Sequence, residues 1–302
     1  MSKIVIYIPV FNNAEWCRAF EPNNGFDFIA SDNASTDGSG DILAAKGVAV
    51  IRQPKNLGRV GNWEFCLRHF LESGRPWVNL HMAGDDLFPA APQILEGLMA
   101  RHPGARFIAT QCEIVRGGKL ISRFGGSQRE EFVSSLEAVR LVALQSNWVG
   151  NPLTTFFHRE AIAGSIAFGE LPWIADLRFY LGLMQRFPVL CSPEIVGRQI
   201  IHPNRLHAKM VNSLQARCEE WIVQCEAAEI HRRLANASDA EHAEFLCQCQ
   251  LNWETKVFNG MLLPATARHQ IERASSYTLS ILGKAFGKKL VNRISRIGRR
   301  VK

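Results

Sequence analysis

Asp85 and Asp86 stand side by side in His81-Met82-Ala83-Gly84-Asp85-Asp86-Leu87, directly after the apolar run Pro76-Trp77-Val78-Asn79-Leu80. Adjacent carboxylates repel, and a hard cation that takes oxygen ligands removes the conflict. Mg²⁺ or Mn²⁺ held against a diphosphate is the chemistry such a pair would do. The alternative is structural: Asp is a common N-cap, and Leu87-Phe88-Pro89 could open a helix. Three further polar clusters follow apolar runs in the same way, namely Pro9-Val10-Phe11-Asn12-Asn13, Ser31-Asp32-Asn33-Ala34-Ser35-Thr36-Asp37-Gly38 and Asn56-Leu57-Gly58-Arg59. A single cluster of this kind is ordinary turn chemistry, but four at one sheet edge describe a site for a polar, anionic ligand.

The elements that must position these clusters read as an α/β series. Ile4–Val10 is a near-continuous apolar run, as expected of a strand covered on both faces, and similar runs occupy 26–30, 48–51, 77–80 and 107–110. Helical spacing appears between them at 41–44, 62–71 and 94–99. The expectation is a mostly parallel sheet with crossover helices, whose carboxyl ends converge on one edge. Ser134-Ser135-Leu136-Glu137 offers a capping box to a helix running through Leu144, and beyond about residue 212 the pattern turns mostly helical. No G-x-G-x-x-G follows the first strand and no G-x-x-x-x-G-K-[ST] occurs, which argues against a dinucleotide fold and a P-loop NTPase.

Composition limits the classes further. The 302 residues are 47% hydrophobic and 21% charged, an ordinary globular balance. Eight cysteines lie scattered without C-x-x-C pairs, which speaks against a zinc module or a disulfide framework and for reduced thiols in a cytoplasmic protein. No apolar stretch approaches the roughly 18 residues needed to span a bilayer.

The ordered set Ile4–Asn12, Asp32-Asn33-Ala34-Ser35-Thr36-Asp37-Gly38-Ser39, Asn56-Leu57-Gly58 with Asn62, and Gly84-Asp85-Asp86 resembles the motifs of family 2 glycosyltransferases, over roughly residues 3 to 210. The resemblance implies a GT-A (Rossmann-like) fold and an inverting transferase that uses a nucleoside-diphosphate sugar and a divalent metal, Mn²⁺ or Mg²⁺. It implies a nucleotide pocket built from Pro9, Phe11, Asn12, Asn56 and Arg59, with Asp32 on the base and Asp85 on the ribose. It gives the metal to Asp86. Gly84 stands where many relatives carry a third acidic or small polar residue, which leaves the cation more dependent on Asp86 alone.

The acceptor side is read from the same resemblance. Glu170-Leu171-Pro172-Trp173-Ile174-Ala175-Asp176-Leu177 resembles the segment that carries the acceptor-activating base, which makes Asp176 the candidate base; many relatives have Glu-Asp where this chain has Ala175-Asp176. Its structural alternative is an N-cap to a helix over 177–185. Asn151, Thr154 and Trp173 are expected near the acceptor, a glycan or a lipid-linked sugar. Ile200–His207 resembles the Arg-x-His segment that closes over the diphosphate, so Arg205 would meet phosphate and His207 the metal, with His202 as competitor.

Two modules are therefore expected: a catalytic domain over 1–212 and a helical extension over 213–302. From Leu279 to Lys302 there are eight Lys or Arg and no Asp or Glu, and the apolar residues fall on one helical face. That is a basic amphipathic helix suited to an anionic membrane surface, consistent with a protein held at the cytoplasmic face of the inner membrane, and nucleic acid is not an expected partner. The setting this implies is cell-surface polysaccharide assembly. Two other readings stand beside it: a noncatalytic nucleotide-sugar-binding or scaffolding protein, and a sugar nucleotidyltransferase, which would want a Gly-rich loop with Arg and Lys after the first strand.

Overall fold

In the computed structural model, residues 2–22, 25–164, 166–169, 171, 173–201 and 213–260 are described. They divide between two compact units, one within 2–138 and 147–201, the other comprising 139–146 and 213–260. No helix among the described residues is long and apolar enough to cross a membrane.

The first unit is built on a ten-stranded sheet in which β1 (Ile4–Val10), β2 (Asp27–Asp32), β3 (Ala49–Arg52) and β4 (Trp77–Leu80) pair in parallel. β5 (Asp86–Leu87), β6 (Phe107–Arg116), β7 (Lys119–Phe124), β8 (Glu131–Val133), β9 (Thr155–His158) and β10 (Val189–Ile201) complete it, in the order β3-β2-β1-β4-β9-β6-β10-β5, with β7 on β6 and β8 on β10. β9 runs antiparallel to both neighbours, and β6 and β10 are again parallel, so the sheet is mixed past β4. The helices of this unit are α1 (Ala14–Ala19), α2 (Ser39–Ala45), α3 (Gly58–Glu72), α4 (Ala91–Arg101), α6 (Arg159–Ile162) and α7 (Ala175–Met184), while α5 (Ser135–Gln145) falls mostly within the second unit. The expected capping box at α5 forms its first half, Glu137 N–H donating to Ser134 Oγ at 3.3 Å.

Apolar residues of β1 explain its central place. Ile4, Ile6, Ile8 and Val10 enter one core with Phe20, Phe28 and Leu95, while Val5 and Tyr7 are buried as well. A strand buried on both faces must sit between helical layers, and its carboxyl end is then the natural mouth of a site. Asn79 is the polar exception in β4. Fully buried, its Nδ2 donates to the carbonyls of Pro152 (2.7 Å), Leu153 (3.2 Å) and Thr155 (2.9 Å), pinning the 3-10 turn Pro152–Thr154 to the strand that delivers the Asp pair.

In the second unit, α8 (Leu214–Ala235) and α9 (Asp239–Gly260) pair as a helical hairpin. Ser213 Oγ accepts from Ala216 N–H at 3.1 Å, and Ser238 and Glu241 form a reciprocal capping box. Trp221 and Trp253 stack at 5.4 Å between centroids. Leu234 is 42% exposed in the last turn of α8, beside the left-handed Asn236 cap. The eight cysteines are free thiols, five of them buried.

Candidate active site at the carboxyl edge of the sheet

The loops after β1, β2 and β3 are knitted into one another. Asn12, held at φ +46°, donates its backbone N–H to Ser35 Oγ (3.0 Å) and accepts Thr36 N–H on Oδ1 (2.9 Å). Asp37 accepts Ala14 N–H (2.8 Å) and the Ser39 hydroxyl (2.6 Å), and these bonds hold its carboxyl below the usual range although the desolvation they bring opposes them. Asp32 is 5% exposed and takes Ser35 N–H on Oδ1 at 3.0 Å. Its second oxygen leaves no room at Gly40: a Cβ there would lie 2.3 Å from Asp32 Oδ2. Asn33 bridges to the third loop, donating to Asn56 Oδ1 (2.9 Å) and accepting Leu57 N–H (2.8 Å). Asn56 Oδ1 also takes Gly58 N–H at 2.7 Å, so its carboxamide oxygen holds the start of α3. Asn62 locks α3 to β2, accepting from Ser31 Oγ at 2.6 Å. Pro9 is half-buried at the end of β1, and Phe11 is 46% exposed at the mouth, a face on which a flat base could stack.

Asn13 Nδ2 reaches Ala83 O at 3.3 Å and so ties this group to the fourth loop. There the two carboxylates part company. Asp85 is 2% exposed and lies beside Cys112, whose thiol is pushed up to about 12, by burial first and by the Asp85 charge second. Asp86, on the next residue of an extended chain, is exposed and borders a recess of about 460 Å³ formed with Phe20, Phe28, Leu87 and Pro89, a recess that neither Asp85 nor Asp32 lines. Successive strand side chains point to opposite faces, and β5 begins at Asp86.

From Cys112 the contacts continue to the acceptor-side residues. Asn151 Nδ2 approaches Cys112 Sγ at 3.6 Å, and Asn151 O accepts the hydroxyls of Thr154 (3.0 Å) and Thr155 (3.2 Å). Thr154 is fully buried and its hydroxyl shapes the turn, whereas Asn151 is 7% exposed beside Cys112. Thr155 Oγ1 bonds the Tyr180 hydroxyl at 3.0 Å, and the charge of Asp176 adds to the burial that pushes the Tyr180 phenol up. Asp176 is the second residue of α7, after an Ile174 N-cap, so it is no N-cap itself; its Oδ1 accepts Leu177 N–H at 2.9 Å. Burial raises its carboxyl above the usual range, and the Arg59 guanidinium opposes that rise. Arg59 stacks 4.8 Å from the Trp63 ring, Trp63 meets Phe168 at 5.6 Å, and Phe168 stacks on Phe179 of α7 at 4.6 Å. Aromatic packing thus joins the start of α3 to the start of α7. Trp173 is half-buried in the turn before α7.

The structure therefore gathers Pro9, Phe11, Asn12, Asp32, Asn56, Arg59, Asp85, Asn151 and Asp176 along one linked edge, with Asp86 next to Asp85 on the exposed side of the same loop. His202, Arg205 and His207, together with the 279–302 segment, lie outside the described residues. Sequence reasoning overlooked Asn79, Gly40, Cys112 and Tyr180. A lone Asn inside a four-residue apolar strand was the available signal for the first; nothing local marked the others. Among the described residues no three His, Cys, Asp or Glu side chains gather as a cation site. A cation bridging a diphosphate needs only one or two protein carboxylates, because phosphate and water supply the rest. One buried carboxylate at the end of β4 fits that requirement.

The arrangement of four polar loops at the carboxyl ends of β1–β4, with an antiparallel β9 beyond, is the GT-A fold. No family model matches the chain, and no curated protein matches it. Among solved structures, S. aureus TarS 1-349 matches with a TM-score of 0.61 at 14% identity, covering 100% of this chain and 92% of that one. Its complex with UDP-GlcNAc matches with a TM-score of 0.61 at 13% identity over 100% of this chain and 93% of that one. A longer TarS chain matches with a TM-score of 0.62 at 14% identity; 96% of this chain is covered, spanning 50% of that one.

Proposed function

We propose that the protein is a glycosyltransferase that moves a sugar from a nucleoside-diphosphate donor to a hydroxyl of a glycan or lipid-linked acceptor, with inversion at the anomeric carbon. One observation carries the reading: Asp85, beyond the end of β4, is linked through Cys112, Asn151, Thr155 and Tyr180 to the half-buried carboxylate of Asp176, and Asn13 ties the loops around Asp32 to the loop of Asp85. A nucleotide end and a base end then share one edge. UDP-GlcNAc in the complex of a protein of the same fold lends support to a nucleotide-sugar donor.

In this reading Asp32 accepts from the base and Phe11 lies against it. Asp85 is assigned the metal, in place of the Asp86 that motif order implies, because it is the buried one of the pair and lies beside Cys112, whereas Asp86 is exposed. A divalent cation bound there would stabilise the charge that the leaving nucleoside diphosphate gains. His207 and Arg205 remain the proposed additional metal and phosphate contacts. Asp176, half-buried and with its pKa raised, is suited to take the acceptor proton, since a base of raised pKa holds that proton more readily than an exposed Asp would. Asn151 and Trp173 flank the acceptor, and Thr154 shapes the turn behind them.

Calorimetric titration with UDP, GDP, dTDP and CMP, with and without Mn²⁺, tests this. Metal-dependent binding of one nucleotide, abolished by Asp85→Asn, together with turnover of the matching sugar donor abolished by Asp176→Asn, is the expected result. Binding without turnover would favour a noncatalytic nucleotide-sugar-binding protein. No binding under any condition would remove the assignment.

A further inference from the structure

β6 and β7 form a hairpin whose outer strand β7 pairs with no other strand among the described residues: β9 pairs with β6 only over Phe107–Ala109, β7 pairs with it from Cys112 to Arg116, and β10 follows the other side of β6 as far as Arg116. Gly117 and Gly118 close the turn at φ +57° and +77°, a two-residue connection that matches strand twist and that other residues adopt at a cost. Beyond the turn, Leu120 and Ile121 are 54% and 57% exposed. In a regular strand, neighbouring side chains face opposite ways. Here the register slips, with Val115 opposite Leu120 and Ile114 opposite Ser122, so Ile121 is an extra residue on a bulge. Two large aliphatic side chains stand next to each other in solvent.

Their surroundings are cationic. Arg116, Lys119 and Arg123 are all exposed on the same hairpin, and from Ile114 to Arg129 there are four Arg or Lys and no Asp or Glu. The nearest carboxylate across the ladder, Glu113, is already engaged by Arg198 at 3.2 Å. Charge on an edge strand is the usual guard against edge-to-edge pairing, and that accounts for the cations. It does not account for adjacent exposed Leu and Ile at the tip. A second copy of the chain is disfavoured as the cover, since antiparallel pairing of two β7 edges would set Lys119 and Arg123 against the same cations.

We propose that the tip of this hairpin docks on an anionic phospholipid surface, with Leu120 and Ile121 entering the headgroup boundary and Arg116, Lys119 and Arg123 meeting lipid phosphates. Apolar residues ringed by cations are the composition that interfacial segments use. The surface belongs to the sheet itself and does not depend on the transferase reading. Each base near such a surface contributes about fivefold in partitioning, and each half-exposed aliphatic side chain about as much.

The test uses the full chain with vesicles of phosphatidylcholine alone and of phosphatidylcholine mixed with phosphatidylglycerol. Hydrogen exchange reads the Lys119–Phe124 amides, and co-flotation reads partitioning. The expected result is slowed exchange at 119–124 with mixed vesicles only, and a loss of partitioning of roughly twentyfold in Leu120→Ser/Ile121→Ser and in Lys119→Gln/Arg123→Gln. The same variants are repeated with all eight Lys and Arg of 279–302 changed to Gln, so that the charge of the tail cannot mask the hairpin. Unchanged exchange at 119–124 while the protein floats would overturn the proposal, as would flotation unaffected in both backgrounds or no flotation at all. Light scattering that shows wild type as a dimer and the Ser variant as a monomer would overturn it in favour of a second copy.

Discussion

Gly40→Ala should cripple nucleotide binding while leaving the protein folded. The added Cβ would lie 2.3 Å from Asp32 Oδ2 and 3.1 Å from its Cγ, so the carboxyl must move by about 1 Å to reach an ordinary contact. It has little freedom to do so, being 5% exposed and tied to Ser35 N–H. Two stability effects oppose each other: Ala is favoured over Gly inside a helix by about 1 kcal/mol, and overpacking costs about 1–3 kcal/mol. The net loss of stability is about 0–2 kcal/mol, within reach of a folded protein. For the ligand, a charge-assisted hydrogen bond to the base contributes about 1.5–3 kcal/mol, so its loss weakens Kd by roughly tenfold to a hundredfold. The assay is calorimetry with whichever of UDP, GDP, dTDP or CMP binds wild type, and urea denaturation runs in parallel. If Gly40 acts through Asp32, the double variant with Asp32→Ala binds no worse than Asp32→Ala alone. Binding by Gly40→Ala within twofold of wild type, or additive losses in that cycle, would refute the reasoning.

Asn79→Leu leaves three buried carbonyls without their donor and is expected to cost about 2–4 kcal/mol in urea unfolding; a loss under 1 kcal/mol would show that the turn at Pro152–Thr154 is held otherwise. Asp176 must be ionised to act as a base, so activity falls as pH drops through its raised pKa. Arg59→Met removes the cation that opposes the rise, and the acid limb of the kcat/KM profile moves to higher pH; an unmoved limb counts against Asp176 as the base or Arg59 as its neighbour. Asp85→Asn abolishes the Mn²⁺ dependence of nucleotide binding whereas Asp86→Asn retains it, and the reverse pattern in calorimetry would return the metal to Asp86.

The strands β1 and β4 were legible to the residue, since an apolar run covered on both faces allows few other placements, and the polar clusters behind each strand marked the edge where a ligand sits. Those features are local: strand burial, turn chemistry and the order of motifs are written in neighbouring residues. Where Asp85 and Asp86 point was not, because that depends on β5 pairing with β10 more than a hundred residues away. The same holds for Asn79, whose partners are the carbonyls of Pro152, Leu153 and Thr155, and for Gly40, whose side chain is excluded by Asp32 packing from another element. Asp176 was recognisable from its segment, yet the burial that raises its pKa and the Arg59 charge from α3 that opposes the rise are brought to it only by the folded chain. Sequence by itself determined which residues could do chemistry and at which sheet edge. Tertiary structure decided which of them meet, because burial and electrostatic coupling are set by contacts between segments distant in the chain.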